Sequence, residues 1–284
     1  MTGETLDVDI SGLGLRFEGL TRPIASELKR RWPEYVRMER VSPALVIRVE
    51  EADRAMTPSR FMEAGLQIVA ANDTVHLRED EGDLAHNIPE AQAVVRLAQG
   101  DAGRRFWGLV NLACAAVGWR LLALGGGAVH AAGVLIDDRV FLLVGPSGCG
   151  KTTWARTAAE AGLHVLSDDC VLLDSVGGRL TALGSPFRAQ DFPAPGPGRW
   201  PVGAILIPRQ AAEPSLGPIP RLMLEARIAA NLLFSGATWE AQPDVAHATC
   251  AIAAGAPARV LSFRPDASWI ELVAAIEGVT GSSI

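Results

Sequence analysis

The chain has 284 residues, 49% of them hydrophobic and 20% charged, so it carries enough apolar side chain for one large or two modest domains. Its net charge of -6, with the basic residues scattered and Lys29-Arg30-Arg31 as the densest cluster, argues against a general nucleic-acid binder. No apolar run of about 18 residues offers a membrane span, and the opening MTGETLDVDIS lacks a basic region followed by an apolar one, so a soluble cytoplasmic protein is expected.

Residues 1–85 read as a small α+β unit. Leu6 to Phe17 alternates like a strand, with Gly12 and Gly14 marking a bend or bulge. Arg22 to Trp32 has helical character, opened by Pro23 and closed by Pro33. Leu45 to Val49 is a strong strand, with shorter ones expected at Gln67 to Ala70 and Thr74 to Leu77. The acidic run from Arg78 to Asp83 fits a solvated turn better than a metal site. Residues 86–127 read as a helical connector, with one helix at Pro89 to Leu97 and a longer apolar one at Arg104 to Leu124. That apolar helix could serve an oligomer interface or internal core. Gly125-Gly126-Gly127 is expected to be a flexible stop, not a second phosphate loop, because no Lys or helix follows it.

From residue 128 to 284 the pattern is that of a catalytic α/β domain. Ala128 to Ile136 and Arg139 to Val144 are predicted as a hairpin about Asp137-Asp138. The second strand leads into Gly145-Pro146-Ser147-Gly148-Cys149-Gly150-Lys151-Thr152, which matches the phosphate-loop pattern G-x-x-x-x-G-K-[ST], and Thr153 begins a helix. A strand, a glycine loop and a helix N-terminus in that order form a polyphosphate site. Backbone N–H groups curl around the phosphates, and the helix dipole favours their charge. Lys151 is expected on the β- and γ-phosphates of ATP, and the Thr152 hydroxyl on Mg²⁺. Cys149 reads as a bystander at a variable loop position, although a redox-sensitive thiol is the alternative. The four cysteines and five histidines show no zinc-type spacing.

Gly162 ends the helix and His164 to Ser167 forms the next strand, which delivers Asp168 and Asp169 at positions 17 and 18 after Lys151. Strands of an open sheet end on the ligand side, so this pair should face the γ-phosphate. Adjacent residues at a strand end point in different directions. One carboxylate can therefore hold Mg²⁺ while its neighbour takes the proton of an acceptor hydroxyl. Arg188 follows a Gly-Ser-Pro-Phe turn and is the better candidate to stabilise transferred phosphate charge; Arg227, in a helix, reads as a surface residue. Ser185 reads as a turn former. The Pro/Gly-rich segment Phe192 to Pro201 is expected to be a loop that closes over the acceptor. Beyond it come a strand at Val202 to Ile207, helices at Pro220 to Phe234 and Val245 to Ala254, a strand at Arg259 to Phe263 and a helix at Ser268 to Val279.

The combination H-A-A-x-V from His130, G-P-S-G-x-G-K-[ST]-T from Gly145 and G-x-x-V-L-S-D-D from Gly162 resembles the catalytic domain of the HPr kinase/phosphorylase family. That resemblance implies an α/β phosphate-loop kinase core of the HPr kinase and phosphoenolpyruvate carboxykinase type, with a hairpin-delivered loop. It implies Asp168 as base toward a serine hydroxyl, Asp169 at the metal, and His130 in the active site. The family's signature after the acidic pair is missing, and the first 85 residues show no clear likeness to its regulatory domain. The chain is thereby more similar to short relatives such as the lasso-peptide precursor kinases. The function expected is ATP- and Mg²⁺-dependent transfer to a serine of a peptide or small protein. A small-metabolite kinase and a non-catalytic nucleotide-binding module remain as alternatives. The resemblance also implies a possible homo-oligomer.

Overall fold

The computed structural model describes residues 3–39, 42–52, 67–71, 74–79, 82–187, 192–233 and 243–264. The chain is a mixed α/β protein with two sheets and divides into two compact units. The first spans residues 1–123, and the second holds 124–233 and the described residues from 244 on.

The first unit is one sheet under two helices. Strands β1 (Glu4–Ile10), β2 (Leu13–Leu20), β3 (Val36–Arg37), β4 (Leu45–Glu51), β5 (Gln67–Ala71), β6 (Thr74–Glu79), β7 (Gly82–Asn87) and β8 (Gln92–Leu97) lie in the order β3-β1-β2-β4-β8-β7-β6-β5. The segment expected as one bent strand is a hairpin: Ser11 and Gly12 adopt positive φ, and β2 folds back on β1. Helices α1 (Arg22–Arg31) and α2 (Ala102–Leu122) pack on each other, α1 also on β1 and α2 on β4, β7 and β8. Asp101 caps α2, its side chain accepting from Arg104 N at 2.9 Å.

The helix expected at Pro89 to Leu97 is instead the edge of a turn followed by β8. Ala, Glu, Gln and Arg in that stretch favour a helix. Ala93, Val95 and Leu97 nevertheless alternate into the core, and β8 is paired on both sides, parallel to β4 and antiparallel to β7. Burial on a period of two outweighs intrinsic propensity here. The helical part of residues 86–127 therefore begins only at Ala102. The sheet's outer face carries crossed ion pairs, including Arg16 with Asp7 at 2.8 Å and Arg96 with Asp83 and Glu50 at 3.2 and 3.3 Å.

The second unit is built on β9 (Gly127–Ile136), β10 (Arg139–Val144), β11 (His164–Ser167), β12 (Cys170–Val176), β13 (Arg179–Leu183), β14 (Arg199–Gln210), β15 (Ser215–Gly217) and β16 (Ala258–Phe263). Asp137 and Asp138 take φ of 44° and 58°, as a tight primed hairpin turn requires, so β9 and β10 form the expected antiparallel pair. β14 runs parallel to β10 on one side and β16 on the other, while its first residues pair with β13, so the path β10-β9-β12-β13-β14 closes on itself. Arg199 on β14 and the buried Asp174 on β12 are joined by a salt bridge. Helix α3 (Lys151–Glu160) lays Trp154, Ala155 and Ala158 against Ala132, Val134, Leu143, Leu206 and Leu261. Helices α4 (Arg221–Ala229) and α5 (Pro243–Ala254) complete the described unit; α4 stops short of the expected Phe234.

Gly126 is a close-approach position, not a flexible stop. A Cβ built on it would lie 2.1 Å from the Leu173 carbonyl oxygen. The expected Pro/Gly loop ends earlier than predicted, at Gly198, because Arg199 to Pro201 pair with Thr181 to Leu183. Phe192 packs against the α3 core. The helix expected at Ser268 to Val279 lies outside the described residues. Among the described residues, no helix is long and apolar enough to cross a membrane.

Candidate active site

β10 is buried from Val140 to Val144 and ends at the glycine loop. Gly148 and Gly150 adopt φ of 78° and 104°, and Gly150 is the N-cap of α3. A side chain at either position would strain the curl that turns the loop amides inward. Lys151 is 6% exposed, and its ammonium donates to the carbonyl oxygens of Gly145 at 2.7 Å and Pro146 at 2.9 Å. Burial lowers its pKa from the ordinary lysine range, while the charges of Cys149, Asp169 and Asp168 act in the opposite direction. The lysine thus rests folded over its own loop.

The acidic pair occupies the corner between β11 and β12. Ser167 sets that corner: its hydroxyl accepts from the backbone N–H of Asp169 at 3.2 Å and of Cys170 at 3.0 Å. Nothing in the sequence pattern singled Ser167 out, since its role rests on a turn that the strand reading left undefined. The two carboxylates diverge, as adjacent residues should. Asp168 is buried and accepts from the Thr152 hydroxyl at 2.9 Å. Its other oxygen, Oδ1, is buried with no hydrogen-bond partner among the described residues. Asp169 is about half exposed, and its Oδ1 lies 2.9 Å from His130 Nδ1. Thr152, expected with Asp169 at a metal, is hydrogen-bonded to Asp168.

His130 also has Nδ1 3.0 Å from the backbone carbonyl of Asp169. A carbonyl only accepts, so Nδ1 carries the proton, and in the neutral ring Nε2 is the acceptor. The histidine is itself fixed by its backbone, whose N–H donates to Asn231 O at 2.7 Å. Together, His130, Ser147, Gly148, Gly150, Lys151, Thr152, Thr153, Asp168 and Asp169 line a cleft of about 260 Å³. Of the other loop residues, Gly145 and Pro146 engage through their carbonyls, and Cys149 Sγ lies 4.0 Å from the Lys151 ammonium. Arg188 lies outside the described residues. Arg227 is exposed on the last turn of α4, as its sequence setting indicated. Ser185 accepts from Phe187 N–H at 3.1 Å, the turn-forming role expected of it.

The donor set fits a nucleotide-borne divalent cation. Thr152 offers a hydroxyl, and Asp168 Oδ1 is an orphaned buried carboxylate oxygen of the hard type that Mg²⁺ prefers. No cluster of three His, Cys, Asp or Glu side chains able to hold a metal occurs among the described residues, so the remaining ligands would be phosphate oxygens and water.

No protein-family model matches the chain, and no curated protein matches it. Among solved structures, the chain is similar to the Hpr(Ser) kinase/phosphatase from Coxiella burnetii at 12% identity and a TM-score of 0.28, over 53% of this chain and 94% of that one.

Proposed function

We propose that the chain is an ATP- and Mg²⁺-dependent phosphotransferase that acts on a hydroxyl, most concretely a serine of a peptide or small protein. One observation carries this reading. A phosphate loop, its buried lysine, the Thr152–Asp168 hydrogen bond and the Asp169–His130 pair all meet in one cleft. A structural glycine turn has no use for a buried lysine or a buried carboxylate oxygen without a partner.

In the proposed mechanism, the loop amides and Lys151 hold the β- and γ-phosphates, for which Lys151 exchanges its two loop carbonyls. Thr152 and Asp168 would hold Mg²⁺, which supplies charge neutralisation to the triphosphate. This reverses the roles that the family resemblance implies for the two aspartates. The reason is geometric: Asp168 is buried and accepts from Thr152, whereas Asp169, the more exposed of the two, is paired with His130. The acceptor oxygen forms the new P–O bond as the bond to the β–γ bridging oxygen breaks. The acceptor proton passes to the Asp169–His130 side, and ADP leaves.

The test is transfer of label from γ-labelled ATP with Mg²⁺, in the presence of candidate peptides, by wild type, Lys151→Ala and Asp169→Asn. Label on a peptide with wild type only supports the reading. Label confined to a small molecule would identify a metabolite kinase, and ATP binding without transfer or hydrolysis would leave a nucleotide-binding module.

A further inference from the structure

The acidic pair is carried by a stretch that runs alongside β9 from one strand to the next. Ser167 lies opposite Gly133 at the end of β11, and Cys170 opposite His130 at the start of β12, with a register shift between Val165 and Ser167. An unbroken strand would send Asp168 and Asp169 to opposite faces of the sheet. Both line one cleft, so the backbone between them has to turn, and a turn beside a sheet needs acceptors for the amides it frees.

Ser167 supplies those acceptors from a single atom. It is 4% exposed, and its Oγ accepts from the N–H of Asp169 at 3.2 Å and of Cys170 at 3.0 Å. On the other side of the same residue, the Asp169 carbonyl accepts from the Ala131 N–H at 3.2 Å and from His130 Nδ1 at 3.0 Å. Asp169 is therefore pinned through both of its backbone polar groups, and its carboxylate adds the contact with His130 at 2.9 Å. Asp168 sits between Ser167 and this pinned residue and reaches the Thr152 hydroxyl from there. Removing the Ser167 hydroxyl takes an acceptor from two amides at once and lets the turn relax.

We propose that Ser167 is a positioning residue for phosphoryl transfer: its hydroxyl sets Asp168 on Thr152 and Asp169 on His130 in one turn, so that the metal side and the acceptor side of the site are fixed together. This rests on the phosphotransferase reading above. Its loss should disturb two functions held by different residues, the Mg²⁺ requirement and turnover, while the phosphate loop and Lys151 continue to bind ATP.

Transfer of label from γ-labelled ATP to candidate peptides, measured over a Mg²⁺ titration for wild type, Ser167→Ala, Ser167→Thr and Ser262→Ala, tests it beside calorimetry of ATP at saturating Mg²⁺. Ser262 is the control: its fully buried hydroxyl also accepts two donors, Nε and Nη2 of Arg209 at 3.0 and 2.7 Å, and it is not among the residues that line the cleft. Ser167→Ala should lower turnover about tenfold and raise the Mg²⁺ needed for half-maximal turnover, with ATP affinity within about threefold of wild type. Ser167→Thr, which keeps the hydroxyl, should recover most of the turnover, and Ser262→Ala should leave it unchanged. The ring ¹⁵N shifts of His130 at about pH 8 read the same turn without substrate. In wild type they should show the proton fixed on Nδ1, and in Ser167→Ala they should move toward the average of the two tautomers. Turnover and Mg²⁺ requirement of Ser167→Ala within about twofold of wild type, or ring shifts that the substitution leaves unchanged, overturn the proposal. So does an equal loss of turnover in Ser167→Thr or Ser262→Ala. Wild type that transfers no label overturns the phosphotransferase reading instead, and the ring shifts then decide the role of Ser167 by themselves.

Discussion

His86 makes the first unit sensitive to acid. The residue sits on the core face of β7, fully buried, with its ring centroid 6.0 Å from that of Trp119 on α2. Neither ring nitrogen has a hydrogen-bond partner among the described residues. Burial, and then the charge of Arg120, push its pKa down to about 4 from 6.5. The unfolded chain therefore takes up a proton that the folded chain refuses. The stability in question is full above the unfolded value and is lost as pH falls from about 6.5 toward 4. A difference of this size corresponds to roughly 3 kcal/mol over the whole window, of which about 2.5 kcal/mol falls between pH 7.5 and 4.5. Replacing His86 by Leu removes both the titration and two buried orphan nitrogens. Urea denaturation of wild type and His86→Leu at several pH values isolates the effect, because every other carboxylate and histidine cancels in the difference. The difference should grow by about 2.5 kcal/mol from pH 7.5 to 4.5 in favour of the variant. A difference constant within about 0.5 kcal/mol would refute the reasoning and place a proton donor or acceptor beside His86.

Three further outcomes are expected. Lys151→Ala should cost on the order of 10²–10³-fold in phosphoryl transfer and abolish detectable ATP binding, read by labelled transfer and calorimetry. Asp168→Asn should raise the Mg²⁺ concentration needed for half-maximal turnover, whereas Asp169→Asn should lower turnover with ATP affinity within a few fold; the opposite assignment would restore the roles implied by the family resemblance. Gly126→Ala should destabilise the protein by 2 kcal/mol or more (an order-of-magnitude figure for steric conflict with backbone), seen as a lowered urea midpoint, since its Cβ meets a carbonyl of β12 that cannot rotate away.

The second unit was legible in the sequence to the degree that its signals are local. The Asp137-Asp138 turn, the apolar run of β10, the loop pattern and the strand before Asp168 each lie within a few residues, and each is found where expected. What the sequence left open is the direction of side chains at a corner. Asp168 and Asp169 are chemically identical, and only the turn tied by Ser167 decides which meets Thr152 and which meets His130. The Arg209–Ser262 hydrogen bonds were equally invisible, because the two residues lie 53 positions apart and meet only through parallel pairing. In the first unit, the segment before α2 misled because helix-favouring residues fill a strand whose identity is set by neighbours on both sides.

Strand β9 is a mechanical hub. Along its ten residues it pairs with β10, β11 and β12, and Val129 bridges to Leu232 after α4. Through these ladders one strand holds the glycine loop, the acidic corner and His130 in common register. Its partners are the hairpin strand β10, the β11–β12 corner and the segment after α4, so one strand is common to every part of the constellation. The amides of β9 should accordingly be the last in the second unit to exchange with deuterium. A substitution that frays the middle of β9 would disperse the site as a whole instead of blunting one residue of it.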